Sequence, residues 1–180
     1  MPKSTLKRFG RDRRGVSAIE FAFLAPVLIM IYFSVAELAL AMLAQLKVNH
    51  AASAVGDLVT QVTSVTPAEL TDVYGAASSI ISPFSTSPME VRVTSVATDA
   101  NDNATVAWSN AQNMTCLTAG TAVTLPTNLL AANQYVIMAE VQYTYTSPMS
   151  YLFKAPVNFD QVFYLRPRQS ASVTCPTCTC

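Results

Sequence analysis

From Phe21 to Ala36 the chain runs without a single charged residue, and six basic residues stand just ahead of it. An uncharged apolar run of this kind has few homes other than a bilayer. At 1.5 Å per helical residue Phe21–Ala36 spans roughly 24 Å, short of the roughly 30 Å hydrocarbon core. A spanning helix must therefore take in Ile19 or Leu38 and their neighbours, which puts Glu20 and Glu37 near the two interfaces. Ala, Leu, Met, Ile and Phe dominate the run, and Pro26 within it removes one backbone donor, which membrane helices tolerate. A secretory signal would have a shorter apolar core followed by a cleavage site. Here the helical pattern continues past Lys47.

Charge sets the direction of insertion. Of the eleven basic residues, Lys3, Lys7, Arg8, Arg11, Arg13 and Arg14 precede Val16, with Asp12 as the only acid there. The topology signal rests on Lys7, Arg8, Arg11, Arg13 and Arg14, which hold the N-terminus in the cytoplasm and send the rest across. The part after Val16 has five basic and ten acidic residues. That balance argues against nucleic acid as a partner, since phosphate contacts need clustered Lys and Arg. Charged residues make up only 12% of the chain, about half the usual quarter.

Beyond the span, Val48, Ala52, Val55, Val59 and Val62 recur at spacings of four and three, a seam that packs either on the chain's own sheet or on another copy. Thr66-Pro67-Ala68-Glu69 is a helix start: Thr66 caps, Pro67 suits the first position, and Glu69 completes a capping box. This second helix is expected to run to about Ile81 and stop before Pro83. Alternation then replaces the helical period. Met89, Val91 and Val93 alternate with Glu90 and Arg92, the turn-rich Asp99–Asn103 follows, and Ala104–Trp108 alternates again, which predicts a hairpin. Residues 109–131 read as a long loop. A strand is expected at Tyr135–Thr146 and a last one near Gln161–Arg166. The fold class is therefore α+β: a long N-terminal helix, a second helix and a small antiparallel sheet. The expected division is a basic leader (1–15), a transmembrane helix (16–46), a helical stalk (47–65), an outer α+β domain (66–170) and a Cys-rich tail (171–180).

The chain offers little to catalysis. His50 is the sole histidine, so no triad or histidine metal cluster can form. With five glycines there is no phosphate-cradling loop. No enzyme activity, cofactor, metal site or small-molecule substrate is expected. Four cysteines, Cys116, Cys175, Cys178 and Cys180, suit disulfides outside the cytoplasm. The preferred pairing joins Cys116 to Cys175, the tail cysteine nearest the folded part; three full pairings of four cysteines exist, and spacing does not choose among them.

The stretch Arg13-Arg14-Gly15-Val16-Ser17-Ala18-Ile19-Glu20-Phe21 places a glutamate one turn inside the apolar helix. An acid there costs up to about 3 kcal/mol at the bilayer centre and less near an interface. Glu20 is either solvated at headgroup level or paired with a cation from another chain. Basic residues, a glycine, a glutamate five positions later and an aromatic next resemble a type IV prepilin of the Flp/Tad branch. Over roughly Arg13–Val62 the chain is similar to the TadE/TadG-type pseudopilins and minor pilins. The resemblance implies cleavage between Gly15 and Val16 by a prepilin peptidase. It also implies a pairing of Glu20 with the new α-amine of a neighbouring subunit, with Phe21 packed beside it. Other pilins and pilus assembly components would be the partners, and the site would be the bacterial inner membrane and a periplasmic or pilus-borne outer domain serving adhesion. The competing expectation is an uncleaved single-span anchor whose periplasmic domain binds another envelope or secretion component.

Overall fold

The computed structural model describes residues 16–126, 129, 131–178 and 180. Helix α1, Val16–Thr60, is continuous through Pro26 and extends for 45 residues, roughly 68 Å. Burial divides it in two. Its first five turns touch almost nothing among the described residues. From Glu37 onward one stripe is buried: Glu37, Ala41, Ala44, Val48, Ala51, Ala52, Val55, Gly56, Val59 and Thr60. Spacings of four and three keep this stripe on one side of the helix. The seam expected from Val48 to Val59 thus packs within the chain, on the sheet, and reaches down to Glu37. Val62 does not take part: the helix ends at Thr60 and Val62 is 41% exposed.

Helix α2, Pro67–Ile81, starts as the sequence indicates. Thr66 Oγ1 accepts from the Glu69 amide (3.3 Å), and Glu69 Oε2 accepts from the Thr66 amide (2.8 Å). Leu70, Tyr74, Ala77 and Ile81 form its buried face. At its far end Lys47 Nζ donates to the Ile80 carbonyl (3.0 Å), which satisfies one of the terminal acceptors a helix leaves open.

Strands β1 (Met89–Thr98), β2 (Ala104–Gln112), β3 (Tyr135–Tyr145) and β4 (Val157–Leu165) form an antiparallel sheet in the order β2-β1-β3-β4. The β1–β2 turn is tied by Asp99, whose Oδ1 accepts from the Asn101 and Asn103 amides at 2.8 and 2.9 Å. Helix α1 lies over β3 and β4, and α2 lies beside α1, reaching β2. Met89, Val91, Val93, Ile137, Ala139, Val141, Tyr143 and Tyr145 meet the helices in one core. Gly56 permits the close approach of α1: a Cβ there would overlap Leu165 Cδ1 and lie 3.3 Å from Ala139 Cβ. The fold class is α+β, with both helices on one face of the sheet.

The sheet's other face carries a smaller cluster of Val96, Val136 and Met138, covered by Leu117, Val123 and Leu125. Of the segment expected as a long loop, residues 109–112 instead extend β2, paired with β1, and the residues beyond them form a cover. It is held to β2 by the Gly120 amide on the Val106 carbonyl (2.8 Å) and the Val123 amide on the Ala104 carbonyl (2.9 Å). On the same face Arg92 and Glu140 form a two-pronged ion pair (2.6 and 2.9 Å), and Arg92 also donates to the Thr115 carbonyl (2.8 Å). Strand β4 begins at Val157, ahead of the expected Gln161. It is an edge strand whose Asn158 and Asp160 point to solvent, and those polar positions hid its first half.

The disulfide expectation needs correction. Cys116 pairs with Cys180, and Cys175 pairs with Cys178. Placement of the tail explains this. The Val65 amide donates to the Thr174 carbonyl (2.9 Å), and Trp108 Nε1 donates to the Val173 carbonyl (2.7 Å). These bonds put Cys175 in the core on the helix side. Cys116 follows Thr115, which Arg92 holds on the opposite face. Only a later tail residue can reach it. Cys175 instead closes a short turn, in which the Cys178 amide donates to the Cys175 carbonyl (3.3 Å).

Candidate functional site

Two acidic residues on α1 have opposite surroundings. Gly15 and the topology residues Lys7, Arg8, Arg11, Arg13 and Arg14 lie outside the described residues. Val16 opens the helix, and Glu20 follows at i+4, on the same side one turn on. Val16, Glu20 and Phe21 are all exposed, Phe21 at 66%. Among the described residues Glu20 has no ion-pair or hydrogen-bond partner. Among the described residues nothing covers this carboxylate or the apolar ring beside it.

Glu37 is closed. It is fully buried against the segment between β3 and β4. Oε1 accepts from Ser147 Oγ (2.7 Å) and the Tyr151 amide (2.8 Å). Oε2 accepts from the Leu152 amide (2.5 Å) and the Phe153 amide (3.3 Å). All four partners are donors, so the ionised carboxylate is the form that accepts all four. Three consecutive backbone N–H groups close over it as a nest closes over an anion. Beneath, Tyr151 lies against Phe33 with ring centroids 6.4 Å apart. Beside it Tyr145 is buried; burial pushes its phenol above the ordinary value, and the Glu37 charge acts in the same direction.

Sequence reasoning placed Glu37 at an interface but missed this bracket. A signal existed. Glu37, Ala41, Ala44 and Val48 follow spacings of four, three and four, so Glu37 continues the seam that packs inward.

His50 is exposed on α1, away from the buried stripe. Among the described residues no group of three or more His, Cys, Asp or Glu side chains could hold a metal ion. Helix α1 is the only described helix long and apolar enough to cross a membrane, and it fits a single-pass anchor.

No curated protein and no solved structure matches the chain. A family model does match, over residues 15–57, which is the whole of α1 but for its last turn, with Gly15, Glu20, Phe21 and Glu37 inside. That family is described as TadE-like protein, and over this segment, about a quarter of the chain, the sequence is similar to it.

Proposed function

We propose that the protein is a minor pilin or pseudopilin of a Tad (Flp) pilus assembly machine, acting by assembly and not by catalysis. The observation that supports this is the TadE-like match over residues 15–57. In it Gly15, Glu20 and Phe21 stand in prepilin order, and Glu20 and Phe21 lie on a helix whose first five turns are left bare by the other described residues. Such a surface needs lipid before assembly and other helices afterwards.

In this reading a prepilin peptidase cuts between Gly15 and Val16 and removes all six leader cations. The span then loses its cytoplasmic anchor and gains an α-ammonium at Val16. Glu20 of a neighbouring subunit neutralises that cation and sets the axial register, while Phe21 packs alongside. The outer domain begins in the periplasm and is carried onto the pilus, where it contributes to adhesion.

An uncompensated ion costs about 2.5–3.5 kcal/mol at the centre of a bilayer helix and less toward an interface, so roughly a hundredfold in an equilibrium is the upper end of the effect. Glu20→Ala is therefore expected to insert and be processed normally but to fall by roughly tenfold to a hundredfold in the sheared pilus fraction. Glu20→Asp should recover part of the loss. Quantitative immunoblotting of membrane and pilus fractions reads both. Wild-type incorporation of Glu20→Ala would contradict the pairing.

A further inference from the structure

The turn that closes over Glu37 carries apolar side chains that the chain does not cover. Met149 is 38% exposed, Tyr151 50% and Leu152 49%, and all three flank the lower end of the outer domain. We propose that the Ser147–Phe153 turn is a lipid wedge: Met149, Tyr151 and Leu152 sink into the headgroup–acyl boundary of the membrane that α1 crosses, and Glu37 holds the turn at that depth.

Depth comes first. The bare part of α1, Val16–Ala36, measures roughly 31 Å, which matches a hydrocarbon core of about 30 Å. The outer boundary of that core then falls at Ala36 and Glu37. The turn touches α1 at Phe33 through Tyr151 and at Glu37 through its backbone, so it lies level with this boundary. Tyrosine is the residue type that settles there, with its ring in the acyl region and its hydroxyl in the headgroups. Lys154 follows directly and is exposed, suited to lipid phosphate.

The backbone makes the second argument. Irregular chain cannot enter apolar surroundings with open N–H groups, because lipid offers them no acceptor. Here the amides of Tyr151, Leu152 and Phe153 are all taken by Glu37, while those of Met149 and Ser150 have no acceptor among the described residues and hold that limb of the turn at headgroup level, where water and lipid headgroups supply one. In return the turn shields a carboxylate that lipid would not tolerate bare. A third observation lies on the other side of the helix. Leu38, Met42, Leu43 and Leu46 stay 40–63% exposed above Glu37. The apolar layer on that side reaches at least as high as the turn, so the turn does not stand clear of it.

The inference rests on α1 as a membrane span and needs neither leader cleavage nor pilus assembly. It is tested with the full chain in phosphatidylethanolamine–phosphatidylglycerol vesicles at low protein density. Tyr151→Trp and Met149→Trp report on the turn, and Asn101→Trp reports on the far end of the sheet; the unmodified protein gives the background from buried Trp108. With lipids brominated near the top of the acyl chains, the two turn variants should lose most of their added emission and resist aqueous acrylamide. The Asn101→Trp emission should do the reverse. Acrylamide quenching of the turn variants in vesicle-bound protein would overturn the wedge alone. Shielding from both quenchers would also overturn it, indicating a protein neighbour as the occupant. A chain that does not float with the vesicles would overturn the span and the wedge together.

Discussion

Glu37→Leu should lower the melting temperature of the full chain by on the order of 10 °C. The substitution leaves three consecutive amides and the Ser147 hydroxyl without their acceptor in a site closed to water. Each orphaned buried donor costs about 1–3 kcal/mol, and the leucine side chain recovers part of the sum by apolar burial. A net loss of about 3–5 kcal/mol is the expectation, in the range for breaking a buried charged site. For a chain of this size each kcal/mol moves the midpoint by roughly 2–4 °C. Glu37→Gln should fall between, since its amide keeps one accepting oxygen but presents an NH2 to groups that are themselves donors. Circular dichroism in detergent measures the midpoints. Limited proteolysis should show the loss beginning at Tyr151–Phe153, because that segment has lost its tether. A leucine variant that melts within about 2 °C of the parent, less than 1 kcal/mol on this scale, would show that the bracket contributes nothing to the fold.

The second large effect concerns the Cys116–Cys180 bond, which spans a sequence separation of 64. Closing a loop of that length removes about 4 kcal/mol of freedom from the unfolded chain in the chain-entropy treatment. Replacing both cysteines by serine should lower stability by about that amount. The damage should centre on the cover over Val96, Val136 and Met138, since Cys116 anchors its start. The Cys175–Cys178 bond closes a separation of only 3, so its loss should cost much less, about 1–2 kcal/mol. Denaturant melts of the two double-serine variants give the comparison directly. Equal losses, or a larger loss for the Cys175–Cys178 variant, would contradict the account of the tail.

Local rules accounted for the elements they govern. Thr66, Pro67 and Glu69 satisfy a helix start within four residues, so the onset of α2 follows from chemistry the chain carries locally. The alternation of Met89, Val91 and Val93 survives because one face of β1 is buried against helices. The first half of β4 was hidden because an edge strand tolerates Asn158 and Asp160 among its apolar positions. The cysteine pairing was hidden for a different reason. Proximity in sequence favoured Cys175, but hydrogen bonds from Val65 and Trp108 turn that residue inward on the wrong side of the sheet. Long-range placement of this kind is not written in spacing.

The same contrast separates the two glutamates. Glu20 was recognisable from its neighbours, because glycine, glutamate and aromatic fall in a fixed order on an apolar helix. Glu37 sits in an equally apolar run, yet its partners lie more than a hundred residues away, in a turn with no motif of its own. Its membership of the inward stripe was the available clue. Together the two acids give the helix a different character at each end of the bare segment: one carboxylate without a partner among the described residues near its start, one closed by the outer domain where that segment stops.

The most direct measurement is the N-terminal sequence and intact mass of the protein taken from host cells with and without their prepilin peptidase. Processing as a Tad-type pilin requires a start at Val16 in the first case and at Met1 or Pro2 in the second. An unclipped N-terminus in both, from cells that still build normal pili, would contradict the pilin assignment.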